Sequence, residues 1–141
     1  MAATAKRLHR IAFLSFAAAL ALGAAPALAQ QEKVLNDGKI EYEENCASCH
    51  GPSGMGEGRL ANMLTMKPPD LTRIAKRNGG AFPFWKVYAI IGGETPVRAH
   101  ELSPMPIWAS RFRAEEQTHW YAPAHVRILL LTHYLESIQE K

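Results

Sequence analysis

Two cysteines separated by two residues and followed at once by a histidine, Cys46-Ala47-Ser48-Cys49-His50, constrain this chain more than any other stretch, and they are its only cysteines. Thiols three positions apart on one helical turn can each add across a vinyl group of a haem, leaving the adjacent imidazole beneath the iron. The rival chemistry for such a pair in an oxidising compartment is a disulfide or a redox dithiol. Thioredoxin-like dithiols, however, sit in a βαβ context, and none surrounds Cys46.

The first residues read as an address rather than as part of a core. Lys6, Arg7 and Arg10 form a positive start, residues 11–22 are apolar apart from Ser15, and Ala27-Leu28-Ala29 is an A-x-A cleavage signal ahead of Gln30. The expected organisation is a secretory signal peptide over residues 1–29 and a single domain over residues 30–141. The apolar run is shorter than the ~20 residues a spanning helix needs, so no membrane span is expected in the mature chain. Removal of the leader takes three of the sixteen basic residues and none of the thirteen acidic ones, which leaves the mature chain balanced. No basic stripe with interleaved aromatics speaks for nucleic acid.

The mature chain patterns as helices joined by Gly/Pro-rich loops, with no convincing strand. Residues 34–45 carry Leu35, Gly38 and Tyr42 at helical spacing. A glycine inside a helix costs about 1 kcal/mol against alanine, so Gly38 points to a close backbone approach by another element. Residues 51–58 form a loop with four glycines that lacks the Lys-Ser/Thr pair of a phosphate cradle. A short helix is expected over 59–65, a break at Lys67-Pro68-Pro69, and a helix over 71–77 capped by Asp70. Another helix is expected over 84–91, and an irregular stretch over 94–110, where Pro96, Pro104 and Pro106 fall. Residues 111–121 suggest a short surface helix. After Pro123, a last helix carries a stripe of Val126, Leu130, Tyr134 and Ile138, with Leu131 beside it.

These features together resemble a class I c-type cytochrome of the bacterial, exported, monohaem kind. The resemblance rests on Gly38 and Tyr42 ahead of Cys46-Ala47-Ser48-Cys49-His50-Gly51, on Lys67-Pro68-Pro69-Asp70-Leu71-Thr72, on Met105-Pro106-Ile107-Trp108, and on the closing Tyr134-Leu135-Glu136-Ser137-Ile138. It implies an all-α cytochrome c fold of four to five helices, with the first and last crossing around one covalent haem c. Gly38 would then meet Tyr134, with Tyr42 and Leu131 nearby. A proline carbonyl would accept the hydrogen bond of the His50 imidazole and fix its orientation. The residues do not choose between Pro68 and Pro69.

Cys46, Cys49, His50 and Met105 are the expected haem-binding residues, with His50 and Met105 as the iron ligands. A thioether is a soft neutral ligand that favours ferrous iron. Met55, Met63 and Met66 are the rivals; the last two are expected to fill core gaps, and a copper-binding thioether cluster of all three is set aside. His100 is expected on a loop surface or near a haem propionate. His119, His125 and His133 are expected to face solvent or cap. Trp85, Arg98 and Trp108 can donate to a propionate, against core packing for the tryptophans and a solvated charge for Arg98.

With both axial positions filled, no open site remains for a substrate. The expected function is thus a periplasmic one-electron carrier and not an enzyme, soluble or loosely associated with membrane complexes, with redox proteins as donor and acceptor. Two alternatives stand beside it: a haem c subunit stably bound to a periplasmic dehydrogenase complex, and a ligand-binding or peroxidase-type haem protein with a labile sixth site.

Overall fold

The computed structural model describes residues 28–94, 105–116 and 122–140. The expected leader lies outside these residues except for its last two, as do His100, Arg98 and His119. The chain divides into two units, Met1–Lys33 and Val34–Lys141. Residues 28–33 of the first are helical. Among the described residues there are six α-helices and no strand, which agrees with the expected all-α class and exceeds the four to five helices expected, because single-turn helices form at 47–50 and 74–77.

In the second unit, α1 covers residues 34–45 and α2 is the single turn Ala47–His50. The short helix expected over 59–65 shrinks to a 3-10 turn at Ala61–Met63. A further 3-10 turn, Leu71–Arg73, runs into α3, Ile74–Arg77. Asp70 caps it as expected, its carboxylate accepting from the Thr72 amide at 2.9 Å and the Thr72 hydroxyl at 2.6 Å. The longer helices are α4 (Phe84–Gly92), α5 (Trp108–Glu116) and α6 (Ala124–Ser137).

Two expectations need correction. Helix α5 begins at Trp108, inside the stretch expected to be irregular to residue 110. Prolines prevent helix only at and before their own positions, and Pro106 leaves Trp108 onward free to coil. The buried face of α6 is also displaced from the expected stripe: Ile128, Leu131, Thr132 and Leu135 are buried, whereas Val126, Leu130 and Tyr134 are only partly so. The run from Val126 to Leu131 is apolar nearly all round, so period alone does not choose the inward side.

The core lies where α6 packs on α4 and α5, which also touch each other. Val87, Ile91, Trp108, Ala109, Phe112, Ala124, Ile128, Leu131 and Leu135 fill it, together with Tyr42 from α1. At the α1–α6 crossing, a side chain on Gly38 would stand 2.9 Å from the Leu130 carbonyl carbon and 3.0 Å from the Tyr134 Cβ. The helices can approach this closely because Gly38 has no Cβ. One turn on, the Tyr42 and Tyr134 rings meet at 5.2 Å.

A second tie joins three helices. Arg127 of α6, 3% exposed, donates two hydrogen bonds to Glu41 of α1, both 2.8 Å, and one to Glu115 of α5 at 2.7 Å. Its guanidinium stacks 3.8 Å from the centre of the Phe112 ring. The two-pronged match to a carboxylate and the stacking on an aromatic face both suit Arg rather than Lys.

Candidate functional site

Helix α2 and its N-cap, Cys46, place the two cysteines and His50 together. The Cys46 amide closes α1 onto the Tyr42 carbonyl at 2.8 Å, and the Cys49 and His50 amides both return to the Cys46 carbonyl, at 3.1 and 2.9 Å. One turn thus carries both thiols and the imidazole. The loop that follows folds back on this turn: the Gly56 amide donates to His50, the Gly58 amide to Cys49 and the Leu60 amide to Ser48. The buried Tyr42 hydroxyl donates to the Gly51 carbonyl at 2.6 Å, which fixes the far end of the turn. Gly56 has φ +85°, and a Cβ there would run into the Pro68 carbonyl, so the loop and the 68–70 segment lie against each other.

His50 is 8% exposed, and its Nδ1 lies 3.3 Å from the Pro69 carbonyl oxygen. The carbonyl can only accept, so Nδ1 carries the proton and Nε2 keeps a free lone pair. Burial holds the imidazole below its usual pKa, in the neutral form that binds metals. The geometry therefore selects Pro69 over Pro68.

Cys46 and Cys49 are free thiols, each partly buried. Burial, with Glu41 and Cys49 nearby, pushes the Cys46 thiol up to about 12. A reactive dithiol needs a lowered thiol pKa, so this environment argues against disulfide exchange. It suits a Cys46 thiol committed to a permanent bond.

The other candidates fall in different surroundings. Met105 is partly buried and packs on the core cluster, as Cys46 does. Met63 and Met66, expected in the core, are 78% and 51% exposed, because the turn at Ala61–Met63 buries Ala61 instead. Met55 is exposed too. Trp108 is 5% exposed, and its Nε1 has no hydrogen-bond partner among the described residues. Trp85 is 71% exposed on α4. His125 faces solvent, and His133 lies against the Phe84 ring and 3.8 Å from Glu136. The sequence reading missed Arg127, whose signal was a lone charge inside an apolar helical run. It also missed Gln139, for which the sequence carried no signal.

These residues fit a covalently attached haem: two unoxidised thiols and a neutral imidazole share one turn, with its Nε2 available, and a buried indole N–H has no acceptor among the described residues. An all-α domain with this site defines a c-type cytochrome. Residues 33–90 match the family model described as cytochrome C oxidase, cbb3-type, subunit III, a span that takes in Cys46, Cys49, His50 and Pro69 and stops before Met105. Residues 33–90 accordingly carry a c-type cytochrome domain, which supports an electron-transfer function and implies covalently bound haem c with its iron. No curated protein and no solved structure gives a significant match.

Proposed function

We propose that this cytochrome is a one-electron carrier of the periplasm, exported by a leader cleaved after Ala29 and closed to substrate at the iron by His50 and Met105. Bound haem c supplies an iron that changes charge by one electron. Cys46 and Cys49 would hold the group through their Sγ atoms. His50 would present Nε2, oriented by the Nδ1–H bond to Pro69. Trp108 Nε1 is a donor suited to a carboxylate of the group. The reading is carried by one observation: a neutral, buried imidazole fixed through Nδ1 beside two free thiols.

The test is spectroscopic. The exported protein should give a pyridine haemochrome of the c type and a mature N-terminus at Gln30. Absence of covalent haem would sink the reading. Slow carbon monoxide binding by the ferrous protein near neutral pH is expected of a closed site; rapid binding would favour the ligand-binding alternative.

A second reading, a haem subunit stably held in a larger redox complex, draws support from the matched family, whose description names an oxidase subunit. Among the described residues no helix is long and apolar enough to cross a membrane. Size exclusion of the native protein decides between them, since a carrier elutes alone and a subunit with its complex.

A further inference from the structure

We propose that Gln139, two residues from the C-terminus, is a positioning residue for His50: it clasps the segment that carries the Pro69 carbonyl and so sets the strength of the imidazole's hydrogen bond. This rests on the reading of His50 as an iron ligand. Here the Gln139 side chain is tied three times. Its Oε1 accepts from the Ala75 amide at 2.9 Å, and its Nε2 donates to the Leu71 carbonyl at 2.8 Å and to the Leu135 carbonyl at 2.6 Å. The Glu140 amide adds a bond to the Thr72 carbonyl at 2.8 Å.

The chemistry of these partners singles out an amide. An N–H needs an acceptor and two carbonyls need donors, which also fixes which end of the amide is oxygen. A carboxylate would satisfy Ala75 and repel the carbonyls; an ammonium would do the reverse. Glutamine meets all three, and it joins the end of α6 to the turn at Leu71–Arg73.

That turn is the anchor of Pro69. The Leu71 amide donates to Gly54 at 2.7 Å, Asp70 caps Thr72, and Arg77 Nη2 donates to the Asp70 carbonyl at 2.8 Å. Gly54 and Gly56 belong to the loop that returns to His50. At 3.3 Å the His50–Pro69 contact is at the long end of hydrogen bonding, so a small retreat of the carbonyl takes it out of range. A stronger Nδ1–H bond makes a ligating imidazole more electron-rich and favours ferric iron. Loosening Leu71 should therefore raise the reduction potential.

The experiment compares the haem-loaded parent with Gln139→Met, which keeps length and loses all three bonds, and with Glu140→Gln, which weakens only the ion pairs to Arg73 and Lys76. Gln139→Met should shift the potential upward and speed exchange of the His50 Nδ1 proton, followed by NMR of the ferrous protein. Glu140→Gln should leave the exchange unchanged. Gln139→Glu, read by exchange alone because its charge moves the potential by itself, should also speed it. Unchanged potential and exchange in Gln139→Met would overturn the proposal, as would an equal exchange effect from Glu140→Gln. A parent without covalent haem would remove the electron-transfer reading and this inference together, whereas a loaded parent with a silent Gln139→Met removes the inference alone.

Discussion

Gly38 and Leu130 lie so close that any side chain on the glycine would strike the Leu130 carbonyl group. This backbone contact brings α1, which leads directly into Cys46, onto α6. The crossing therefore holds one end of the haem-attachment turn as well as the core.

Gly38→Ala should accordingly destabilise the protein. Alanine improves intrinsic helix propensity by about 1 kcal/mol, but overpacking a tight contact costs ~1–3 kcal/mol, and here the obstacle is backbone that cannot rotate away. A net loss of about 1–2 kcal/mol is expected in denaturant unfolding of the loaded protein. Unchanged or increased stability would show that the helices can separate without cost.

Arg127 offers a second test of the helix assembly. Removing one member of a buried ion group costs ~3–5 kcal/mol, because the remaining charges lose their counter-ion in a poorly solvated place. Glu41 and Glu115 keep some solvent contact, 15% and 32% exposed, so Arg127→Met should cost about 3 kcal/mol, the low end of that range. Adding Glu41→Leu should recover part of the loss, since an apolar replacement of the pair leaves less charge stranded. Urea unfolding of the single and double variants reads both effects.

The contrast between Gly38 and Arg127 shows what the sequence could and could not disclose. A glycine in a helical pattern has a local cost, so Gly38 announced a close neighbour, and the resemblance to c-type cytochromes named Tyr134 as that neighbour. The cysteine–histidine turn was equally legible, because its chemistry is complete within five consecutive residues. Arg127 and Glu41 are 86 positions apart and Gln139 and Leu71 are 68 apart. Such pairings exist only after the helices have packed, and no local period encodes them. The same reason explains the displaced face of α6, where five apolar residues in a run of six left the choice of side to tertiary contacts.

The proposed sixth ligand is tested by substitution of methionines. Met105 is partly buried against the core, whereas Met55, Met63 and Met66 are exposed at 55%, 78% and 51%. Met105→Ala should abolish the weak near-infrared sulfur-to-iron band of the ferric protein and lower the reduction potential, since loss of the thioether removes preferential stabilisation of ferrous iron. The triple change Met55→Leu, Met63→Leu and Met66→Leu should keep the band. Its persistence in Met105→Ala would reject the assignment.

Acid should weaken the fold in two windows. The folded pKa of His50 is lowered by burial, so the unfolded chain takes up this proton first. Where the imidazole is unligated, stability begins to fall below its unfolded value of about 6.5 and continues to fall down to the folded one. Ligation by iron through Nε2 should protect it in the loaded protein. The lower window belongs to carboxylates. Hydrogen bonding from Arg127 depresses Glu115, and hydrogen bonding from Thr72 depresses Asp70, with Arg73 and Arg77 adding to the effect on Asp70. Both folded values lie below the unfolded ones, so these groups contribute stability that is present above about pH 4.5 and lost as pH falls through the folded values. Glu115→Gln should flatten the pH dependence of the denaturation midpoint below about pH 4.5 and leave the higher window untouched. Asp70→Ala should lower stability by about 1 kcal/mol at neutral pH through loss of the cap, and flatten the same low window. A midpoint as steep in Glu115→Gln as in the parent would mean that the contact with Arg127 does not depress Glu115.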